Sequence, residues 1–408
     1  MKNTNALLPG FLLRSERIRQ GKGQKEICYG ICVTSYLSKI ERGQIQPNVD
    51  ILSELFVRLG ITYEHRKEVL EPYVSLIEEY FERLLYMRPT LDIYEKLSEQ
   101  GDMLKYSELT ADWQLIQIYE KWNLGEEIRS ELASLELLFD CMDKRQQGYF
   151  RILQAYTESD KNLAVELAKD ACGSLENSFA MMTLCYQYIS NSNFTAIHQM
   201  EQKLTAAALE EGNTYQLADY YRVKGSAYAC LGMEDLMMTY YQRSANMLQG
   251  TIWEEELEGI YYNIGATCLE KGRNEEALRW LEKMSLRKDD LMTVHKLALA
   301  HIRLGQIGVG KELLVQMRNL LDQNPSSVRA DYLRYEEALM ECEPDYLDDP
   351  NYLTLLEEMM KEMERSYHFG HLYSYRNQFM EAYKKQRKYK KALEFEEKIS
   401  ETLMKNSI

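Results

Sequence analysis

The chain has 408 residues, 45% hydrophobic and 28% charged, with a formal net charge of -15. That composition excludes a disordered or fibrous protein and is enough for more than one buried core. No apolar run approaches the roughly 20 residues needed to cross a bilayer, so no membrane partner is expected. Ala6–Leu13, interrupted by Pro9-Gly10, is too short for a signal peptide. The eight cysteines (28, 32, 141, 172, 185, 230, 268 and 342) form no tight framework and read as reduced core residues in a cytoplasmic protein. The charge is uneven. Residues 1–66 carry ten Lys/Arg against six Asp/Glu, whereas residues 67–408 carry 39 against 58. A basic head suits contact with phosphates, and an acidic body does not.

The head is expected to be helical. Gly10–Gln20 makes a first helix, ended by Gly21-Lys22-Gly23. A second, short helix runs from Gln24 to about Gly30, and Gly30-Ile31-Cys32-Val33 forms a turn. A third helix covers Thr34-Ser35-Tyr36-Leu37-Ser38-Lys39-Ile40-Glu41, with Thr34 or Ser35 as its cap and Gly43 as its stop. Leu37 and Ile40 should pack inward and leave Ser35, Tyr36 and Lys39 outward. After Pro47, Val49–Leu59 reads as an apolar fourth helix, and a fifth follows Tyr63. Cys28 and Cys32 have no second Cys/His pair to complete a zinc site.

Residues 10–66 resemble the lambda-repressor-like (XRE, Cro/C1-type) helix-turn-helix domain. The likeness rests on Gln24, on Ser38-Lys39-Ile40-Glu41-Arg42-Gly43, on Pro47 and on Leu59-Gly60-Ile61. More narrowly, Gly30-Ile31-Cys32 followed by Ser35-Tyr36-Leu37-Ser38 resembles Gram-positive peptide-sensing transcriptional regulators of the PlcR/NprR kind (RRNPP). The resemblance implies double-stranded DNA as partner. Thr34, Ser35, Tyr36 and Lys39 would face base edges, Gln24 and Arg42 would lie beside the backbone, and Arg17 and Glu41 would form an internal salt bridge. The family's usual Ser or Thr cap before Gln24 is here Gly23, a weaker cap. Heads of this size generally act as two-fold pairs, so a homodimer is expected.

Beyond the head, Val74, Ile77, Tyr80, Phe81, Leu84 and Leu85 recur every three to four residues, a linker helix whose apolar stripe faces the body or a second subunit. No proline falls between Pro89 and Pro325. From about residue 91 the chain reads as stacked helix pairs. Tyr221-Arg222-Val223-Lys224-Gly225-Ser226-Ala227-Tyr228, then Leu231-Gly232 and Tyr240-Tyr241, is echoed by Tyr262-Asn263-Ile264-Gly265-Ala266-Thr267-Cys268, then Lys271-Gly272, Ala277 and Leu281. A weaker copy runs through Ala298, Leu304-Gly305 and Gly310, and a last one through Tyr383 and Tyr389–Leu393. Gly225, Gly265 and Ala298 would let paired helices approach, and Gly232, Gly272 and Gly305 would end the first helix of each pair. The longer first interval is assigned to Thr251–Glu256. The pattern resembles the tetratricopeptide repeat. The expected fold is therefore all-α: a helix-turn-helix domain (1–66), a linker helix (67–90) and a tetratricopeptide-like α-solenoid (91–408).

Such solenoids line an inner groove with the first helix of each pair. The repeat phase directs Arg222, Ser226, Tyr262, Asn263, His295, Lys296 and Leu299 into it, with Ala266 and Met292. A side-chain amide at Asn263 both donates to and accepts from an extended backbone, the job of groove asparagines in the regulators the head resembles. Arg222 and Lys296 would hold a carboxylate. No phosphate loop, HExxH or GxSxG motif is present, and the pair His368/His371 lacks companion ligands. No catalysis, cofactor or metal is expected. Two functions remain open: a transcriptional regulator gated by a short signalling peptide in the groove, and a DNA-tethered adaptor that grips a partner protein.

Overall fold

The computed structural model describes residues 4–285, 290–324, 328–366 and 369–406. The described residues contain helices and a single isolated bridge, Glu64 to Ser107. Two compact units divide the chain, residues 1–184 and 185–408.

The first unit opens with α1 (Thr4–Arg19), α2 (Gln24–Cys28), α3 (Thr34–Glu41) and α4 (Val49–Arg58). Leu13, Ile27, Leu37, Ile40, Leu55 and Phe56 are fully buried and form the head's core. Helix α1 runs upstream through Pro9, longer than expected; Pro9 is its sixth residue, past the first turn, and costs the helix one backbone hydrogen bond. Neither Thr34 nor Ser35 caps α3. The cap position is Val33, and no side chain bonds there, because the turn's own bonds, Ile31 N and Cys32 N to the Cys28 carbonyl (2.9 and 3.0 Å), set the chain one residue further on. Asn48 caps α4, accepting from Asp50 N at 2.8 Å.

The expected fifth head helix and the linker are one helix, α5 (Lys67–Leu85). Its apolar stripe turns onto the body of the same chain. Tyr80 Oη donates to Glu120 Oε1 at 2.7 Å, and the Phe81 ring stacks on Tyr149 with centroids 4.4 Å apart. There follow α6 (Leu91–Ser98), α7 (Gly101–Lys105), α8 (Thr110–Asn123), α9 (Arg129–Glu136), α10 (Lys144–Thr157) and α11 (Lys161–Leu175); α12 (Ser178–Ser190) carries the division between units. Trp113 lies in α8 and Tyr149 in α10, both buried.

The second unit continues with α13 (Phe194–Gln199), α14 (Glu201–Glu211), α15 (Thr214–Cys230), α16 (Glu234–Leu248), α17 (Leu257–Glu270) and α18 (Asn274–Leu281). After these come α19 (Leu291–Arg303), α20 (Ile307–Gln323), α21 (Arg329–Met340), α22 (Pro350–Ser366), α23 (Phe369–Tyr373), α24 (Arg376–Lys385) and α25 (Tyr389–Asn406). Helices α15/α16, α17/α18 and α19/α20 pair as the repeats predict. Each first helix stops two residues before a glycine in the left-handed region, Gly232, Gly272 and Gly305, at φ of 70°, 71° and 78°, where a side chain would be strained. Close approach explains the other small residues. A Cβ on Gly225 would sit 2.6 Å from the Tyr241 ring, and one on Gly265 2.8 Å from Leu281. The extra residues of the first interval form the 3-10 turn Glu254–Glu256 ahead of α17, beside Trp253, whose ring lies 5.3 Å from that of Tyr215.

Six of the eight cysteines are buried, and none forms a disulfide. Cys32 is half-buried, and burial raises its thiol pKa, which disfavours the reactive thiolate.

Candidate functional site

In the head, Ser35, Lys39 and Arg42 are exposed, while Gln24, Thr34 and Tyr36 are half-buried. The Arg17 guanidinium grips Glu41 through Nε (2.6 Å) and Nη2 (2.9 Å), and Gln24 Nε2 donates to the same carboxylate at 2.8 Å. The predicted salt bridge thus exists, and Gln24 joins it. Its amide N–H is used to lock α2 against the end of α3, so its first task is positional. Burial and pairing of Glu41 hold Lys39 and Arg42 on the solvent side of one turn, two cations at a helix end suited to phosphate oxygens. Exposed Tyr29 and Val33, in the turn before α3, extend that face with apolar surface; as loop residues they were not singled out by helical periodicity.

In the second unit a cavity of about 270 Å³ opens between α15, α17, α19, α21 and the segment Gly370–Tyr375. Its volume lies just under the range of about 300–1,000 Å³ usual for ligand sites. Arg222, Ser226, Tyr262, Asn263 and Lys296 all line it, with Ala266 and Met292. Two expected residues do not. His295 is fully buried, its Nε2 3.4 Å from Glu337 Oε2, because it lies about 100° around α19 from Lys296. Burial holds its imidazole well below its ordinary range, hence neutral. Leu299 shares the face of Met292 but lies two turns farther along, where the core covers it.

The wall side chains bond to one another. Arg222 Nε donates to Asp219 Oδ1 at 2.9 Å and its Nη2 to Tyr186 Oη at 2.6 Å. Burial opposes its charge, and Asp219 more than offsets that, so the guanidinium stays charged but neutralised. Ser226 Oγ donates to the Arg222 carbonyl at 3.1 Å and lies 3.0 Å from Tyr241 Oη. Asn263 Nδ2 reaches Ser226 Oγ only at 3.4 Å, a long bond that a ligand carbonyl can replace. Lys296 lies over the Tyr375 ring, 5.4 Å from its centroid, and burial brings its pKa down to about 8. Glu270, not singled out from the sequence, also lines the cavity, and burial raises its carboxyl to about 7. It stands seven residues after Asn263, two helical turns along the same stripe, so the repeat phase contained it. Arg334 and Tyr375 also line the cavity, from elements without a repeat signature.

A wider groove of about 870 Å³ lies in the first unit, along Gly101, Trp113, Gln117 and the Lys121–Glu131 ion pair. None of the predicted ligand-contacting residues belongs to it. Among the described residues no group of three or more His, Cys, Asp or Glu is placed to hold a metal, and no helix is long and apolar enough to cross a membrane. His371 lines the second-unit cavity, while His368 lies outside the described residues.

The structure superposes on the apo form of the quorum sensor NprR from B. thuringiensis with a TM-score of 0.59 and 13% sequence identity, over 82% of this chain and 99% of that one. Bacillus thuringiensis PlcR in complex with the peptide PapR7 and DNA aligns over 77% of this chain and 94% of that one, at 16% identity and a TM-score of 0.29. No protein-family model and no curated protein matches the chain. At this identity the NprR likeness is one of fold: all-α, with an N-terminal helix-turn-helix-like pair and a stacked-helix solenoid behind it.

Proposed function

We propose that the chain is a cytoplasmic, sequence-specific DNA-binding transcriptional regulator of the PlcR/NprR (RRNPP) kind, acting as a homodimer and gated by a short signalling peptide in the second-unit cavity. Residues 1–66 are its DNA-binding domain, 67–90 its linker helix and 91–408 its sensing domain. The carrying observation is that Asn263, whose amide reaches Ser226 only at 3.4 Å, and Lys296, which makes no ion pair among the described residues, share one cavity, in a chain whose head exposes Ser35, Lys39 and Arg42. Thr34, Ser35, Tyr36 and Lys39 would read base edges and Gln24 and Arg42 would set the backbone register. NprR, whose fold this chain shares, is described as a quorum sensor. For gating, the peptide must bind the DNA-competent arrangement more tightly than the other.

The test is binding of full-length protein to fragments of its own upstream region, at fixed salt, with and without synthetic peptides from neighbouring small reading frames. A peptide that changes DNA affinity in the wild type is expected to need about tenfold or more higher concentration in Asn263→Ala, with peptide-free DNA affinity unchanged. Specific DNA binding indifferent to every peptide would instead favour the adaptor reading, in which the wider first-unit groove takes a protein segment.

A further inference from the structure

Glu270 and Lys296 are half-buried cavity groups of opposite charge that influence each other only at a distance, without forming an ion pair. Among the described residues no carboxylate lies within 4.0 Å of the Lys296 ammonium and no cation within 4.0 Å of the Glu270 carboxylate. The other charges near them are already committed. Arg222 is held by Asp219, and Arg334 Nη1 donates to Asp331 Oδ1 at 2.8 Å. Lys271, next to Glu270, pairs with Glu234 at 2.7 Å, and Arg376 pairs with Glu396. A purely anionic ligand would satisfy Lys296 but leave Glu270 buried against added negative charge. A purely cationic one would do the reverse. Burying either ion without a partner is costly, so selectivity follows from which ligand restores both pairs.

We propose that the cavity selects a dipolar peptide segment, one carrying a carboxylate that pairs with Lys296 and a cationic group that pairs with Glu270. This rests on the peptide-binding reading of the cavity and narrows it. Arg222, an obvious carboxylate partner from the sequence, becomes a wall element that shapes the site rather than the ligand's counter-ion. Asn263, on the same stripe of α17 as Glu270, fixes the backbone of the segment. The titration positions agree with this arrangement. A carboxyl near 7 in the same cavity as an ammonium near 8 is half-ionised at neutrality, and a ligand cation draws it to the carboxylate with release of a proton.

A pool of synthetic heptapeptides, randomised at every position, tests this without knowing the natural ligand. The pool is equilibrated with full-length protein, and the peptides that co-elute on gel filtration are sequenced by mass spectrometry. The wild type is expected to enrich peptides holding both an acidic and a basic residue by about tenfold over the input. Glu270→Gln should lose the preference for the basic residue and keep the acidic one, and Lys296→Met should do the opposite. Retained peptides with no charge preference, or with acidic residues alone, would overturn the dipolar assignment while leaving a peptide site in place. No retained peptide at all would remove the peptide reading and this inference with it. The wild-type composition decides the matter even if a variant fails to fold.

Discussion

Gly10→Ala is expected to cost the head about 3 kcal/mol and to abolish DNA binding while the solenoid stays folded. The reason is backbone, not side chain. A Cβ at Gly10 would stand 2.0 Å from the carbonyl oxygen of Ile40 and 2.8 Å from its carbon. Those atoms sit in the last turn of α3 and cannot rotate away as a side-chain tip does. Relief requires α1 and α3 to separate by more than an ångström, and α3 is the helix that carries Ser35, Tyr36 and Lys39. The same movement pulls Glu41 from Arg17 and Gln24, because Glu41 follows Ile40 directly. Gly173→Ala is the control. It lies in α11 with nothing within 4 Å of the added Cβ, so the substitution should stabilise by about 0.5 kcal/mol through the lower entropy of the unfolded chain. Urea unfolding followed by hydrogen exchange in residues 4–58, together with DNA titration, separates the two. Wild-type stability and DNA affinity in Gly10→Ala would mean that α1 and α3 do not approach as closely as described.

The parts of this protein legible in its sequence are those where one residue type answers one geometric demand. Leu37 and Ile40, three apart, had to face inward, and both are fully buried. Gly232, Gly272 and Gly305 mark the helix stops because the left-handed region tolerates little else. The site was only partly legible, because helical phase gives direction around the axis but not depth along it. Leu299 has the right direction and is covered. Glu270 has the right direction and lies at the cavity, in the two-residue gap between Cys268 and Lys271-Gly272 of the repeat. His295 stands a single position from Lys296, and that step turns it from the cavity into the core. Charge was illegible altogether. Arg222 and Lys296 look alike in sequence as carboxylate partners, and only the position of Asp219 shows that one is already neutralised. The capping of α3 was misread because Thr34 and Ser35 are good caps in isolation, whereas bonds within the preceding turn decide where the helix begins. Arg334 and Tyr375 come from a stretch whose helices lack the glycine stop, so no periodic signal pointed to them.

Arg303→Met should destabilise the second unit by about 3–5 kcal/mol at pH 8, roughly a 10 °C fall in Tm for a unit of this size, although Arg303 touches no part of the cavity. Its Nε donates to Glu341 Oε2 at 2.8 Å and its Nη2 to Oε1 at 2.7 Å. Gln378 Nε2 donates to Glu341 Oε1 at 2.7 Å and also to Glu337. Both carboxylates are buried, and His295, held neutral, sits 3.4 Å from Glu337. Methionine keeps the stem of the side chain and removes its charge, so two buried carboxylates would face each other with a glutamine amide between them. Burial, and after it the charge of Glu337, already hold the Glu341 carboxyl above its ordinary range, with Arg303 opposing. Removing Arg303 raises it further. A carboxyl whose folded value is raised is penalised in full above that value, and the penalty is relieved as pH falls through it toward the unfolded value. The cost of Arg303→Met should therefore shrink between pH 8 and pH 5.5. Glu341→Gln, which leaves Arg303 with Glu337 only at 4.0 Å, should show no such relief. Thermal unfolding of the three proteins across that range reads both trends, and a small, pH-independent loss in Arg303→Met would mean the cluster is open to water. The consequence reaches the cavity through α19 itself. Arg303 ends the helix that begins beneath Met292 and Lys296, and the cluster fixes that helix's rotation by holding His295 inward. If the proposed function holds, a variant that loosens it should bind peptide more weakly without losing any contact to the peptide, because Lys296 would no longer be held over Tyr375 at the cavity wall before the ligand arrives.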